Sequence, residues 1–143
     1  MAKFGAKPDV YAHHPYASSR LETPTSSPNS RTAVTLGNID VLIEELDRLY
    51  GKKMRLWITE YGYQTNPPDR LFGVSFQKQA QYLGEAFEIA RENPRIDMML
   101  WFLLRDEPEV SGWQSGLSTA SGIHKPSFGA FKKVSRMIAR HGR

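Results

Sequence analysis

In the stretch "RLWITEYGYQTNPPD", Arg55 to Asp69, a mostly apolar run ends on a carboxylate, Glu60. Two more strand-like runs end in groups of related chemistry. "PDVYAHHPY" finishes on His13, His14 and Tyr16, and "RIDMMLWFLL" carries Trp101 and leads into Arg105 and Asp106. Carboxylate and imidazole groups hydrogen-bond to hydroxyls, and an indole face stacks on the apolar side of a pyranose ring. These residue types therefore suit sugar recognition. Alternation puts Glu60 on one face with Leu56 and Ile58, and Trp57 and Thr59 on the other. In a barrel the first set is expected to point inward and the second toward the helices, which would make Trp57 core at the helix interface. From the strand pattern alone, Glu60 is either a carboxylate over the mouth of a barrel or a surface acid that meets solvent.

The elements that must position these groups follow from periodicity and breakers. Pro8–Tyr16 reads as a short strand stopped by Pro15, and a long polar loop with two prolines follows. Ile39, Leu42, Ile43, Leu46 and Leu49 recur at helical spacing, predicting a helix from about Leu36 to Tyr50 with Asn38 as cap and Gly51 as stop. A strand is expected over Met54–Thr59, then a loop over Tyr61–Val74. Ala80, Leu83, Phe87 and Ala90 predict a helix from about Ser75 to Glu92, ended by Asn93-Pro94. Arg95–Leu104 is the most apolar stretch, as for a strand buried on both faces. A loop over Arg105–Lys125 carries Trp113, and Pro126 opens a last helix whose Phe128 and Phe131 should be core. Tyr82 and Phe76 are expected to pack helices. The order is β, α, β, α, β, α. The fold class is α/β, with three parallel strands each followed by a helix. The long loops follow strands and the returns are short, so the chemistry belongs to the loops after strands.

With 143 residues, 40% of them apolar and 24% charged, the chain is globular and long enough for one core. No apolar run approaches the ~18–20 residues that span a bilayer, so no membrane partner is expected. The first ten residues, "MAKFGAKPDV", contain no signal-peptide h-region. There is no cysteine, hence no disulfide or thiolate chemistry. The net charge of +4 invites a nucleic-acid reading, but six of the 19 Lys and Arg lie from Lys125 onward with no acid among them. The other 13 face 15 acids, and a cationic last helix suits its own dipole. No basic and aromatic interleaving suggests a nucleic-acid partner. Adjacent His13 and His14 point to opposite faces of a strand, so they are not read as metal ligands. One is expected to face the site and the other to pack under a helix. Nothing calls for a cofactor.

"DVYAHHPY", "LWITEYGYQT", "MLWFLL" and "GLSTASGIHKPSFGAFK" together resemble the last three strand-helix units of clan A glycoside hydrolases. These are (β/α)8 TIM-barrel retaining enzymes, among them cellulase-like family 5 and family 39 members, and the likeness is to actinobacterial types. It spans nearly the whole chain, 1–143, and "ITEYG" is its most specific piece. The resemblance implies a partial barrel, units six to eight, acting on the O-glycosyl bonds of a carbohydrate substrate. It implies Glu60 as nucleophile, with His14 and Tyr16 lining the subsite and Tyr16 hydrogen-bonding the Glu60 carboxylate. Trp101, which reads as core on its pattern alone, would be the sugar platform. Tyr61, Tyr63, Gln64 and Trp113 lie on matching loops, and of these Tyr63 and Trp113 are taken as substrate-binding.

The family's acid/base comes from an Asn-Glu pair, and no such pair occurs here. The first five strands also lack a counterpart. The chain is therefore expected to be the C-terminal part of an incomplete barrel that hydrolyses poorly or not at all alone. Full-length relatives are expected to be secreted, which an absent signal peptide in this chain does not contradict. Asp106 and Glu107 are local candidates for the second carboxyl, but a loop acid paired with Arg105 is the favoured reading. Two other functions stay open: a carbohydrate-binding remnant that does not cleave, or a half-barrel that joins another chain through its open sheet edges.

Overall fold

In the computed structural model, residues 5–28, 32–51 and 53–141 are described. Arg143, counted above in the basic tail, lies outside them. Strand β1 covers Val10–His13, β2 Arg55–Tyr61 and β3 Ile96–Trp101. Helix α1 covers Asp40–Tyr50, α2 Phe76–Glu92 and α3 Pro126–His141. The three strands form one parallel sheet in the order β1-β2-β3. The result is an α/β unit with an open three-stranded sheet, consistent with part of a barrel.

The ends of the helices follow local chemistry. Ser75 caps α2, its hydroxyl accepting the Lys78 N–H at 3.2 Å, and Asn93 closes it. Gly51 ends α1 at φ 81°, a conformation that side chains other than glycine resist. Asn38 does not cap α1 as expected. A 3-10 turn, Leu36–Asn38, precedes the helix, and the Asn38 carboxamide oxygen accepts the Thr35 N–H at 2.7 Å. A polar side chain here stabilises the entry turn rather than the helix itself.

The faces of the sheet are the reverse of the sequence expectation. Leu56 and Ile58 are fully buried, in one cluster with Leu46 of α1 and Tyr82, Ala86 and Ala90 of α2. They face the helices, not a barrel interior. Trp57, expected beneath the helices, is 41% exposed on the other face, where Leu100 is 47% exposed and Ala12 pairs beside Trp57. Right-handed crossovers between neighbouring parallel strands put every helix on one side of the sheet. This leaves the other face uncovered among the described residues. Alternation cannot tell which of two apolar faces a helix covers, and both faces of β2 are apolar. A second cluster joins Leu83 and Phe87 of α2 to Leu117 and Val134, and Phe128 and Phe131 of α3, expected in the core, are half-buried against it. Phe87 and Phe131 meet edge to face at 5.7 Å.

One irregularity in β2 decides where Glu60 goes. Ile58 pairs with Met99 and Tyr61 with Trp101, so β2 advances three residues while β3 advances two. Ile58 and Tyr61 are three residues apart, yet both are buried in the same helix-side cluster. Strict alternation forbids that, and one extra residue at Thr59-Glu60 permits it. The bulge turns Glu60 away from the face of Leu56 and Ile58, onto the open side of the sheet.

Candidate active site

Glu60 meets the end of β1 there. Its Oε2 accepts a hydrogen bond from the Tyr16 hydroxyl at 3.4 Å and lies 3.4 Å from His14 Nδ1. The other ring nitrogen, Nε2, is 2.9 Å from Thr59 Oγ1. A neutral His14 that donates through Nδ1 and accepts from Thr59 satisfies both contacts. Both residues of the bulge thus hold one imidazole. The Glu60 side chain is 36% exposed and that of His14 46%, so the group opens to solvent while keeping fixed partners. His13 points the other way. Its Nε2 is 3.3 Å from the Val34 carbonyl, and burial holds its pKa below the usual 6.5, with the Val34 bond opposing and His14 adding to the shift. The second histidine was expected under a helix, and its contact is instead with the loop that precedes α1.

An aromatic wall stands beside the carboxylate. The Tyr16 ring lies 5.5 Å from Trp113, 6.3 Å from Tyr61 and 6.4 Å from Phe102, and Phe102 meets Trp113 edge to face at 5.4 Å. Burial pushes the Tyr16 phenol well above its usual range, and the Glu60 carboxylate adds to the shift, so the hydroxyl stays a donor. Tyr63 is buried, its hydroxyl donating to the Glu22 carbonyl at 3.0 Å. Burial raises its pKa to about 12, against a smaller opposing effect of the Tyr61 hydroxyl bond. Trp101 is half-buried between the two core clusters. Its Nε1–H donates to the Ser115 carbonyl at 2.8 Å, and its ring meets Tyr61 edge to face at 6.2 Å.

Phe102 is the aromatic residue the sequence reading missed. The apolar run Arg95–Leu104 was expected to stay a strand throughout, carrying Trp101 and leading into Arg105 and Asp106. Instead β3 ends at Trp101, and Leu103 turns at φ 76°. Nothing in the residue pattern marks that stop, since the run stays apolar through Leu104.

A cleft of about 890 Å³ adjoins the aromatic wall, lined by residues 16–20, 62–64, 68–72 and 110–113. It shares Tyr16 with the Glu60 cluster and includes Tyr63, Gln64 and Trp113, whereas Glu60 itself lies beside it. Of the expected site residues, His14, Tyr16 and Glu60 come together directly. Tyr63 and Trp113 line the adjoining cleft, which meets that cluster at Tyr16, and Trp101 stands behind Tyr61.

The loops that carry this wall are fastened by a buried polar cluster. Lys125 Nζ donates to Asp106 Oδ1 at 2.7 Å, to Thr65 Oγ1 at 2.8 Å and to the Gln114 carbonyl at 3.0 Å. Both charged side chains are almost wholly buried. Burial lowers the Lys125 pKa, against the opposing effect of Asp106. Asp106 also accepts the Gly116 N–H at 2.8 Å, and a Cβ at Gly116 would lie 2.4 Å from the Asp106 backbone nitrogen. Gln79 of α2 donates to the Tyr63 carbonyl at 2.8 Å and accepts from Ser127 of α3 at 2.7 Å. Asp106 was expected to pair with Arg105, but its partner is Lys125. Glu107 accepts the Trp113 N–H at 3.0 Å. Lys125, counted among the basic residues of the last stretch, is thus buried and paired with an equally buried acid.

Among the described residues no group of three or more His, Asp or Glu could hold a metal ion, and no helix is long and apolar enough to cross a membrane.

Several solved glycoside hydrolases share this fold. A GH2 beta-galacturonidase from Eisenbergiella tayi aligns with a TM-score of 0.68 and 15% identity over 91% of this chain and 24% of its own. A family 39 glycoside hydrolase from Bacteroides cellulosilyticus WH2 aligns at 0.65 and 20%, over 91% and 27%. An uncultured Clostridium sp. beta-glucuronidase aligns at 0.58 and 20%, over 90% and 23%. The chain spans about a quarter of each of these proteins, and at such identities the likeness is one of fold. No curated protein sequence matches the chain. Residues 10–140 match the profile of the family described as "Family of unknown function (DUF5722)", and the chain belongs to that family.

Proposed function

We propose that the chain is the nucleophile-bearing part of a retaining glycoside hydrolase, units six to eight of a clan A (β/α)8 barrel. One observation carries this reading. A β-bulge at the carboxyl end of a parallel sheet aims Glu60 onto the open face, where Tyr16 and His14 hold it beside an aromatic cleft. The glycoside hydrolase fold of the neighbours supports the same reading.

In this account both partners hold Oε2, which leaves Oε1 to attack the anomeric carbon. The Glu60 C–O bond forms as the glycosidic C–O bond breaks, giving a covalent glycosyl-enzyme. Tyr16 and His14 fix the direction of the carboxylate. Trp113 and Phe102 face the sugar ring. Trp101 supports the wall by backing Tyr61. A second carboxyl roughly 5–5.5 Å from the first must protonate the leaving oxygen. Asp106 is committed to Lys125 and Glu107 to the Trp113 backbone, so the acid/base comes from strand-helix units outside this chain.

A second reading rests on the uncovered face bearing Trp57 and Leu100. The chain would then bind sugar without cleaving it, or join a partner that completes the sheet. Dye release from aryl β-glycosides, paired with oligosaccharide calorimetry, separates these readings. Turnover lost in Glu60→Gln supports the enzyme, with slow or no release by the chain alone and recovery on adding the missing units. Turnover that survives Glu60→Gln removes Glu60 from the role, and binding with no turnover even in the completed barrel supports the binding remnant.

A further inference from the structure

We propose that the cleft beside Glu60 receives the acidic unit of an anionic saccharide, one bearing a carboxylate or a sulfate, and that Arg20 and Arg70 bind it. The inference rests on the glycosidase reading of Glu60 and names the substrate class of that site.

Arg20 and Arg70 both line the cleft and are both exposed. Among the described residues neither guanidinium has an ion-pair or hydrogen-bond partner. Four other arginines are paired with acids, Arg48 with Glu45, Arg55 with Asp97, Arg91 with Glu88 and Arg95 with Asp47, and Arg20 and Arg70 are the two unpaired ones that line the cleft. The lining contains one acid, Asp69, and it is turned inward. Its Oδ1 accepts the Leu71 and Phe72 N–H groups at 2.8 and 3.0 Å. The cleft therefore presents two free positive forks against largely apolar walls, with no lining carboxylate free to neutralise them.

Both forks sit on ordered turns. The segment of Arg70 is fixed by the Asp69 bonds and by Asp69 N–H to the Thr65 carbonyl at 3.0 Å. The segment of Arg20 is fixed by Ser18 N–H to Glu22 Oε2 at 2.8 Å and Leu21 N–H to Ser19 Oγ at 3.2 Å. An anchored backbone lowers the ordering cost of binding. A guanidinium matches the two oxygens of a carboxylate or sulfate, which makes such charge-assisted bonds strong and directional. Placing an acidic sugar near Glu60 brings like charges together, and the two arginines offset that repulsion.

Calorimetry on the whole chain tests this with matched probes. These are oligogalacturonate against its methyl ester, and a sulfated galactan oligosaccharide against its desulfated form. The charged member of at least one pair is expected to bind about tenfold or more tighter, as two charge-assisted contacts allow. The pair with the larger difference identifies carboxylate or sulfate as the recognised group. The double variant Arg20→Gln/Arg70→Gln should lose the difference yet bind the neutral probe unchanged, and an unaltered melting temperature shows that it is folded. In the unmodified protein, raising salt from about 50 to about 500 mM should weaken only the charged probe. Equal binding of charged and neutral probes, or a preference that survives in the folded double variant, overturns this inference while leaving the glycosidase reading intact. Absence of binding to every saccharide overturns both.

Discussion

The Tyr16 hydroxyl donates to Glu60 at 3.4 Å, a long hydrogen bond that helps set the direction of the carboxylate. Removing it in Tyr16→Phe is expected to slow glycosyl transfer to Glu60 by about tenfold, close to the ~1 kcal/mol net contribution of one such bond. Single-turnover kinetics with an activated glycoside should show the loss in rate and not in binding. His13 gives a separate expectation. Its folded pKa lies below its ordinary 6.5, so the unfolded chain binds the proton more readily. Its contribution to stability is complete above pH 6.5 and is lost as pH falls through the lower folded value. Denaturant melts of His13→Gln should show a flatter stability profile than the parent between about pH 5 and 7. Equal slopes would contradict the burial of that imidazole. Glu60, His14 and Tyr16 were all legible in the sequence, because strand ends and residue chemistry identify such groups. Phe102 was not, because its place depends on where β3 stops.

At the scale of elements, order and type were legible and orientation was not. Hydrophobic periodicity located all three helices, and breakers marked their ends. The face of β2 that meets the helices was misassigned, since Leu56, Trp57, Ile58 and Tyr61 are all apolar or aromatic and give alternation nothing to sort. A one-residue bulge then moved Glu60 to the face opposite the one that counting predicts. The two errors cancelled: the inward face was wrong, and the carboxylate still reached the open side. Paired substitutions check the assignment. Leu56→Ala should destabilise the isolated chain by about 2–5 kcal/mol, as truncation in a packed core does. Trp57→Ser should cost no more than about 1 kcal/mol, because its ring is 41% exposed. Chemical melts giving the opposite ranking would reverse the faces again.

Across the whole molecule, the buried Lys125–Asp106 pair ties the loop after β2, the loop after β3 and the start of α3 into one body. The aromatic cleft depends on that tie, because Tyr63 and Trp113 ride on those loops. Lys125→Met should destabilise by about 3–5 kcal/mol, since it strands the Asp106 carboxylate in the interior. A melt within about 1 kcal/mol of the parent would show that the pair is not buried as described. No periodicity rule foresees a lysine from a basic tail inside the core, so this tie was invisible in the sequence. The open face, with Trp57 and Leu100 uncovered, is where further strand-helix units would close a barrel over Glu60.

The central claim is that Glu60 is a nucleophile toward an anomeric carbon, and it can be tested without the missing acid. In 2-deoxy-2-fluoroglycosyl fluorides the fluoride departs without a general acid, so attack by Glu60 should still form the covalent adduct. With no acid/base to activate water, the adduct should persist. Intact-mass and peptide-mapping spectrometry of the chain with gluco- and galacto-configured reagents, neutral and uronic, should find one glycosyl group on the peptide bearing Glu60 and none in Glu60→Gln. No adduct with any of these reagents, or one that persists in Glu60→Gln, would contradict the account.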